Sequence, residues 1–319
     1  VMIKEGIKPL TIKRANITKA GALEYVETID IDLSENGNAN CYIVNKSGLY
    51  SFDATVIGNG EFGLVKNANF HTDDVNITPT SAELLWSSPE TAVSDVNFDP
   101  ESGKISFYAS GIEGNALIAA KDAEGNILWS WHIWATDQPQ DQHYINSVGE
   151  FDVQDRNLGA TRADRGTGDE WKESIGAYYQ WGRKDPFIST CYSTTGHYQQ
   201  ISIPESILSP NSIVVNNFVE YQADTREWMS PTNTLLWQSR QKTIYDPCPV
   251  GYIVAENVVW NGFTSYTDNS IGAEVCNTSE QFDKGWNFFY NEAETTWYPS
   301  TGRTHARYGT SIKDENHCY

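Results

Sequence analysis

Between residues 36 and 137, short β-rich runs alternate with turn residues, and that spacing leaves little choice of fold. The runs are CYIVNKSGLYSFDATVIGNG, NITPTSAELLW, VNFDPESGKISFYASG and GNALIAAKDAEGNILWSWHIWATD. Glu101-Ser102-Gly103 and Ala123-Glu124-Gly125-Asn126 have the composition of hairpin turns, with glycine supplying positive φ. In the run 128–134, Leu128, Ser130, His132 and Trp134 share one face, and Trp129, Trp131 and Ile133 share the other. Both faces are largely apolar, which predicts a central strand covered on each side. Roughly seven strands in about 100 residues predict an immunoglobulin-like β-sandwich over 36–138. No second histidine or carboxylate stands at ligand spacing from His132, so a hydrogen-bonded histidine is expected there rather than a metal ligand.

A length of 319 residues suits two domains. Lys and Arg number 22 against 42 Asp and Glu, a formal charge of −20. That field repels nucleic acid and anionic membranes and argues against both as partners. The first 20 residues run the other way, with Lys4, Lys8, Lys13, Arg14 and Lys19 against Glu5 alone. They read as a solvated strand face or as an arm that pairs with an acidic neighbour. Residues 1–35 also hold the strand-like pieces Leu10-Thr11-Ile12 and Thr28-Ile29-Asp30-Ile31-Asp32. This segment is read as an N-terminal arm, the edge of the sandwich, or the remnant of an upstream domain. The polar stretch 137–147, with Gln138-Pro139-Gln140-Asp141-Gln142, lacks periodicity and is the best domain boundary. No run of about 18 apolar residues occurs, so no membrane-spanning segment is expected, and there is no signal peptide. The chain opens on Val1 and stops at His317-Cys318-Tyr319, in what reads as mid-strand. Both ends are therefore expected to be cut, with any export signal or anchor lying outside the sequence.

None of the five cysteines makes a CxxC pair. Cys41 sits in a strand-like run and is expected to be a buried filler. Cys191, Cys248, Cys276 and Cys318 are enough for two bridges of unassigned connectivity. Residues 148–319 mix short helical patterns, polar loops and isolated aromatics. Trp171, Ile175, Tyr178 and Tyr179 recur at i, i+4, i+7 and i+8, which predicts one short amphipathic helix. Gly182 would stop it and Pro186 would prevent its resumption. On this reading, the stretch GAYYQWGRKDPF at 176–187 is architecture. Tyr178 and Trp181 anchor the helix on a core, and Arg183 and Asp185 form a polar clasp just past its end.

Four phrases of the second half carry a resemblance. They are Asp155-Arg156-Asn157-Leu158-Gly159-Ala160-Thr161, the stretch 176–187, Asp246-Pro247-Cys248-Pro249-Val250-Gly251-Tyr252, and a weaker Trp297-Tyr298-Pro299 followed by Gly302-Arg303. In order and spacing they resemble the Fibrobacter succinogenes major paralogous domain, found on exported proteins of Bacteroidetes-type bacteria. Upstream, Asn38-Ala39-Asn40-Cys41-Tyr42-Ile43-Val44 and Ile127-Leu128-Trp129-Ser130-Trp131-His132-Ile133-Trp134 look like the β-domain that often precedes it. Together these cover most of 36–319. The resemblance implies an exported protein of the cell surface or fimbrium, fimbrillin-like or at a pilus tip. It also implies a C-type-lectin-like or formylglycine-generating-enzyme-like α+β fold for 148–319, truncated at its C-terminus. Asp155, Arg156, Asn157, Tyr178, Trp181, Arg183 and Asp185 are then residues of structural motifs. The sequence departs from the family where Val153-Gln154 replaces the common Trp-Met pair. It departs again where Gly251-Tyr252-Ile253-Val254-Ala255-Glu256 replaces Gly-Trp-Arg-Val-Pro-Thr, losing its Arg and Pro.

The combined fold expectation is mainly β plus α+β: an N-terminal immunoglobulin-like β-sandwich followed by a C-type-lectin-like domain. No Gly-x-Ser-x-Gly, phosphate loop or dinucleotide fingerprint occurs, no carboxylate pair stands out, and no closely spaced reactive cysteines are present. The chain is read as a non-enzyme, with a surface enzyme acting on carbohydrate as one alternative. Sugars are held by aromatic platforms together with carboxylates and amides, and the segment 264–298 offers Tyr266, Asp268, Asn269, Trp286, Asn287 and Tyr290. The competing reading makes Trp286 and Phe288 core. The expected function is a cell-surface adhesin whose partner is a host or bacterial glycan or a surface protein. A structural fimbrial subunit, joined to other fimbrial subunits by strand addition, is the second alternative. The Glu-Pro-Asn or Gln-Pro-Asp and Trp-Asn-Asp signatures of calcium-dependent lectins are absent, with Trp286-Asn287-Phe288 and Gln138-Pro139-Gln140 only near misses. No EF-hand loop occurs either. No cofactor is expected, beyond a structural calcium ion that an acidic loop could hold.

Overall fold

Turn chemistry and two-residue patterning organise the first half of the chain. The computed structural model describes residues 30–188, 200–214, 228–261, 284–289, 294–301, 303–304 and 311–312. Strands β1 (Asp30–Asp32), β2 (Cys41–Val44), β3 (Gly48–Asp53), β4 (Ser81–Ser88), β5 (Val93–Asp99), β6 (Lys104–Ala109), β7 (Gly114–Lys121) and β8 (Ile127–Ala135) form two four-stranded sheets. Their orders are β1-β3-β6-β5 and β2-β8-β7-β4. Gly103 (φ 71°) and Gly125 (φ 85°) turn the β5–β6 and β7–β8 hairpins at the two predicted places. Two pairings are parallel, β1 on β3 and β2 on β8. The Thr28–Asp32 phrase thus contributes an edge strand through its last three residues.

The sheets face each other through aromatic side chains. Tyr42 of β2 stacks on Phe52 of β3 with centroids 5.1 Å apart, and Phe52 meets Trp131 of β8 at the same distance. Strand β8 lies between β2 and β7, as its two apolar faces predict. Trp129, Trp131 and Ile133 are buried with the inner faces, and Ser130, His132 and Trp134 are buried on the other side. Something must therefore cover the outer face, and the second half of the chain does so.

That second half holds the hairpin β9 (Asp141–Ile145) and β10 (Glu150–Gln154), so the expected connector at 137–147 is partly strand. It also holds the short helix α1 (Ile203–Leu208), the pair β11 (Gly285–Phe289) and β12 (Thr295–Pro299), and the two-residue strands β13 (Arg303–Thr304) and β14 (Ser311–Ile312). Helix α1 starts on a capping box, with Ser202 accepting from the Glu205 N–H and Glu205 reaching back to the Ser202 N–H. The described chain is mainly β. Ile201, Ile207, Trp228, Met229, Leu236, Ile244 and Tyr245 belong to the same apolar core as Tyr42, Phe52 and Trp131. Backbone contacts reinforce this continuity. Asn40 donates through Nδ2 to Ile244 O and Asp246 O, both at 2.8 Å, and the Ile244 N–H donates to Gly63 O at 2.9 Å. Gly63 permits that approach, since a Cβ there would stand 2.9 Å from Ile244 N.

The predicted helix over 171–182 is not formed. A single 3-10 turn, Glu170–Ser174, is followed by Gly176 at φ 76°. Any Cβ at Gly176 would lie 2.6 Å from Leu158 O, so the chain is pressed against the 157–160 turn and cannot coil on. Tyr178 and Phe187 then exchange N–H···O bonds of 3.0 and 2.8 Å, closing 178–187 into a tight loop. The helical period was real in the sequence, but tertiary packing overrode it.

Candidate functional site

The 176–187 loop departs from the expected roles of its residues at Trp181. Trp181, read as a core anchor, is 41% exposed and only leans on Trp237, with centroids 6.1 Å apart. Arg183 and Asp185, read as a polar clasp, are buried, and so is Lys184 between them. Lys184 donates through Nζ to Asp185 Oδ1 (2.6 Å), Ser130 Oγ (2.6 Å) and Ser130 O (2.9 Å), and its ammonium lies 4.5 Å from the Trp129 ring centre. Ser130 Oγ also donates to Asp185 Oδ1 at 2.7 Å. Burial pushes the Lys184 pKa down against the pull of Asp185. Arg183 has no carboxylate partner in its bonds. It donates to the carbonyls of Ser212 (2.7 Å), Ser209 (3.1 Å) and Ser206 (3.4 Å) at the end of α1, and it stacks over Phe187 at 4.9 Å. Burial lowers its pKa to about 10. The arginine caps a helix whose last carbonyls would otherwise be orphaned. This seam is structural: Lys184 and Asp185 hold the loop against β8, and Arg183 holds it against the end of α1.

The other motif residues serve the same end. Arg156 grips Asp155 through Nε (2.8 Å) and Nη2 (3.2 Å), and reaches Thr136 and Asp137 just past β8. Asn157 donates to Ile175 O at 3.2 Å, and Ala160 O accepts from the Trp134 indole at 2.9 Å. Tyr178 donates to Thr301 O at 2.5 Å. Asp246 is fully buried and accepts from Lys242 (3.0 Å), the Cys248 N–H (2.9 Å) and the Val254 N–H (3.0 Å). The Val254 N–H thus closes the loop 247–254 onto Asp246. His132 is buried and hydrogen-bonded, with Nε2 2.8 Å from Asn115 Oδ1. Cys41 and Cys248 carry free thiols, so Cys248 joins no bridge; Cys191, Cys276 and Cys318 lie outside the described residues. Among the described residues, no group of three or more His, Cys, Asp or Glu could hold a metal ion. No helix among them is long and apolar enough to cross a membrane.

Beside this seam lies an open groove of about 750 Å³. Its walls come from three places that are distant in sequence. The β4–β5 turn and the start of β7 supply Ser88, Pro89, Glu113, Gly114 and Asn115. The stretch 159–178 supplies Gly159, Thr161, Asp169, Trp171, Lys172, Glu173, Ile175, Gly176 and Tyr178, with Ile188 beyond it. Lys284, Ser300 and Thr301 flank β11 and β12. The Lys284 ammonium sits over the Trp171 ring, 6.0 Å from its centre. The size falls within the range of small-molecule sites, and an aromatic wall beside exposed polar groups suits a ligand with both apolar and hydroxyl faces.

Of the residues expected to bind a ligand, Tyr266, Asp268, Asn269 and Tyr290 lie outside the described residues. Trp286 stands on β11 opposite Tyr298, and Asn287 stands opposite Trp297. Asn287 is not among the described residues that line the groove. Phe288 is buried, in keeping with the core reading of that residue. Sequence reasoning placed Trp171 on a helix face and missed it as a groove wall. It missed Glu113 and Lys284 altogether, because nothing in their local sequence marks them.

No protein-family model, no curated protein and no solved structure matches the chain. Fold and site therefore stand on their own geometry.

Proposed function

We propose that the chain is an exported cell-surface adhesin of the fimbrial-tip kind. In this reading an immunoglobulin-like sandwich carries a C-type-lectin-like module, and the pair contacts a glycan. The observation that carries the proposal is the groove of about 750 Å³, with Trp171 and Tyr178 beside exposed carboxylates and amines. The order of the Asp155–Thr161, 176–187 and Asp246–Tyr252 motifs supports the cell-surface part. The groove, rather than the 264–298 segment alone, is then the first place to test.

A glycan and mucin array with the soluble protein, run with and without chelator, is the experiment. Saturable binding that survives chelation is expected. Trp171→Ala should weaken it at least about tenfold, equivalent to roughly 1.4 kcal/mol. The variant should keep the far-UV circular dichroism of the parent. Undiminished binding by a folded Trp171→Ala protein would remove the groove from consideration.

A further inference from the structure

Resting on that reading of the groove, we propose that its ligand is an extended oligosaccharide, and that a second cavity at the end of the sandwich holds the sugar residues beyond the groove. This cavity has a volume of about 240 Å³ and sits where β2, β6 and β8 end. The last residues of those strands line it together with Lys46, Ile112, Thr136 and Asp137. Glu113 lines both the cavity and the groove. Before it in the chain, Gly111 and Ile112 line the cavity; after it, Gly114 and Asn115 line the groove. Four steps of chain reach no further than about 14 Å, so the two spaces are near neighbours. The Glu113 carboxylate stands at their shared edge, where it accepts from the Asp137 N–H at 3.3 Å.

The groove is larger than one sugar. At about 750 Å³ it lies in the upper half of the range of about 300–1,000 Å³ for small-molecule sites, and a single sugar ring leaves most of it to water. Within it, Trp171 and Tyr178 offer faces for sugar C–H groups. The cavity repeats that mixture on a smaller scale. Ile112 is 48% exposed and presents an apolar surface, and the exposed Lys46 and Glu113 supply a donor and an acceptor for hydroxyls. A chain of sugars that runs from Trp171 past Glu113 fills both spaces. Once its first residues are seated in the groove, the next meet the cavity at the high effective concentration of a tethered group.

The test measures binding to the soluble protein by titration calorimetry. The probes are size series, monosaccharide to hexasaccharide, of cello-, chito- and manno-oligosaccharides and of any glycan that the array returns. Affinity is expected to climb at least about tenfold between the disaccharide and the tetrasaccharide of a series that binds. Ile112→Ala trims an exposed side chain outside the groove and should weaken the tetrasaccharide at least about threefold while leaving the disaccharide unchanged. Affinity already complete at the mono- or disaccharide overturns the extended ligand while leaving the groove reading in place. A climb with length that Ile112→Ala does not touch overturns the second cavity as its cause. Binding by no member of any series overturns the glycan reading itself and the inference with it.

Discussion

His132 supplies a titration that the fold alone can explain. Its ring is 1% exposed on the outer face of β8. Asn115 Nδ2 donates to Gly159 O at 2.9 Å, so Asn115 Oδ1 is an acceptor and His132 Nε2 must carry the proton. Nδ1 is then left to accept from the Tyr179 hydroxyl, 3.4 Å away. Burial disfavours the imidazolium and lowers the pKa from 6.5 to about 3. The unfolded chain therefore binds a proton between about pH 6.5 and 3 that the folded chain refuses. Stability from this source is fully present above 6.5 and is lost as pH falls through that window. From pH 7 to pH 5 the loss amounts to about 2 kcal/mol for one such group. The assay is urea unfolding at several pH values for the parent and for His132→Gln, which keeps a neutral donor but cannot titrate. The variant starts less stable, yet its stability should fall by about 2 kcal/mol less over the same interval. Every other titratable group is common to both proteins and cancels. Identical pH slopes would refute the argument, since they would mean that the folded protein accepts the proton.

Two further predictions concern the loop at 176–187. Lys184→Ala leaves Asp185 buried without its cation and should cost about 3–5 kcal/mol, read as a fall in the urea midpoint; a loss under 1 kcal/mol would contradict the buried pairing. Trp181→Ala removes a side chain that is 41% exposed and should cost about 2 kcal/mol, against about 3–5 for Trp129→Ala in the core. Equal losses for the two tryptophans would show that Trp181 is an anchor after all.

Much of the first half was legible. The two hairpins could be read because glycine at positive φ is required there, and β8 could be placed centrally because both of its faces are apolar. His132 was legible as a hydrogen-bonded residue, because buried polar groups find partners. The capping box at Ser202 and Glu205 was equally readable, from the sequence Ser-Ile-Pro-Glu, and went unnoticed. The failures sit in the second half. The spacing from Trp171 to Tyr179 fits a short amphipathic helix, but Gly176 is pressed against the Leu158 carbonyl. Arg183 and Asp185 were read as a polar clasp, but the partners that bury them with Lys184, Ser130 and the end of α1, are far away in sequence.

By itself, the sequence determined what depends on neighbours along the chain: strand periodicity, turn positions, and the acidic balance that disfavours nucleic acid. Tertiary structure alone decided the parallel placement of β1 and β2, the core shared between the two halves, the burial of 183–185, and the groove. Each of these depends on which distant residues come into contact. Glu113, Trp171 and Lys284 become one wall only after the sheets have packed and the second half has closed over β8.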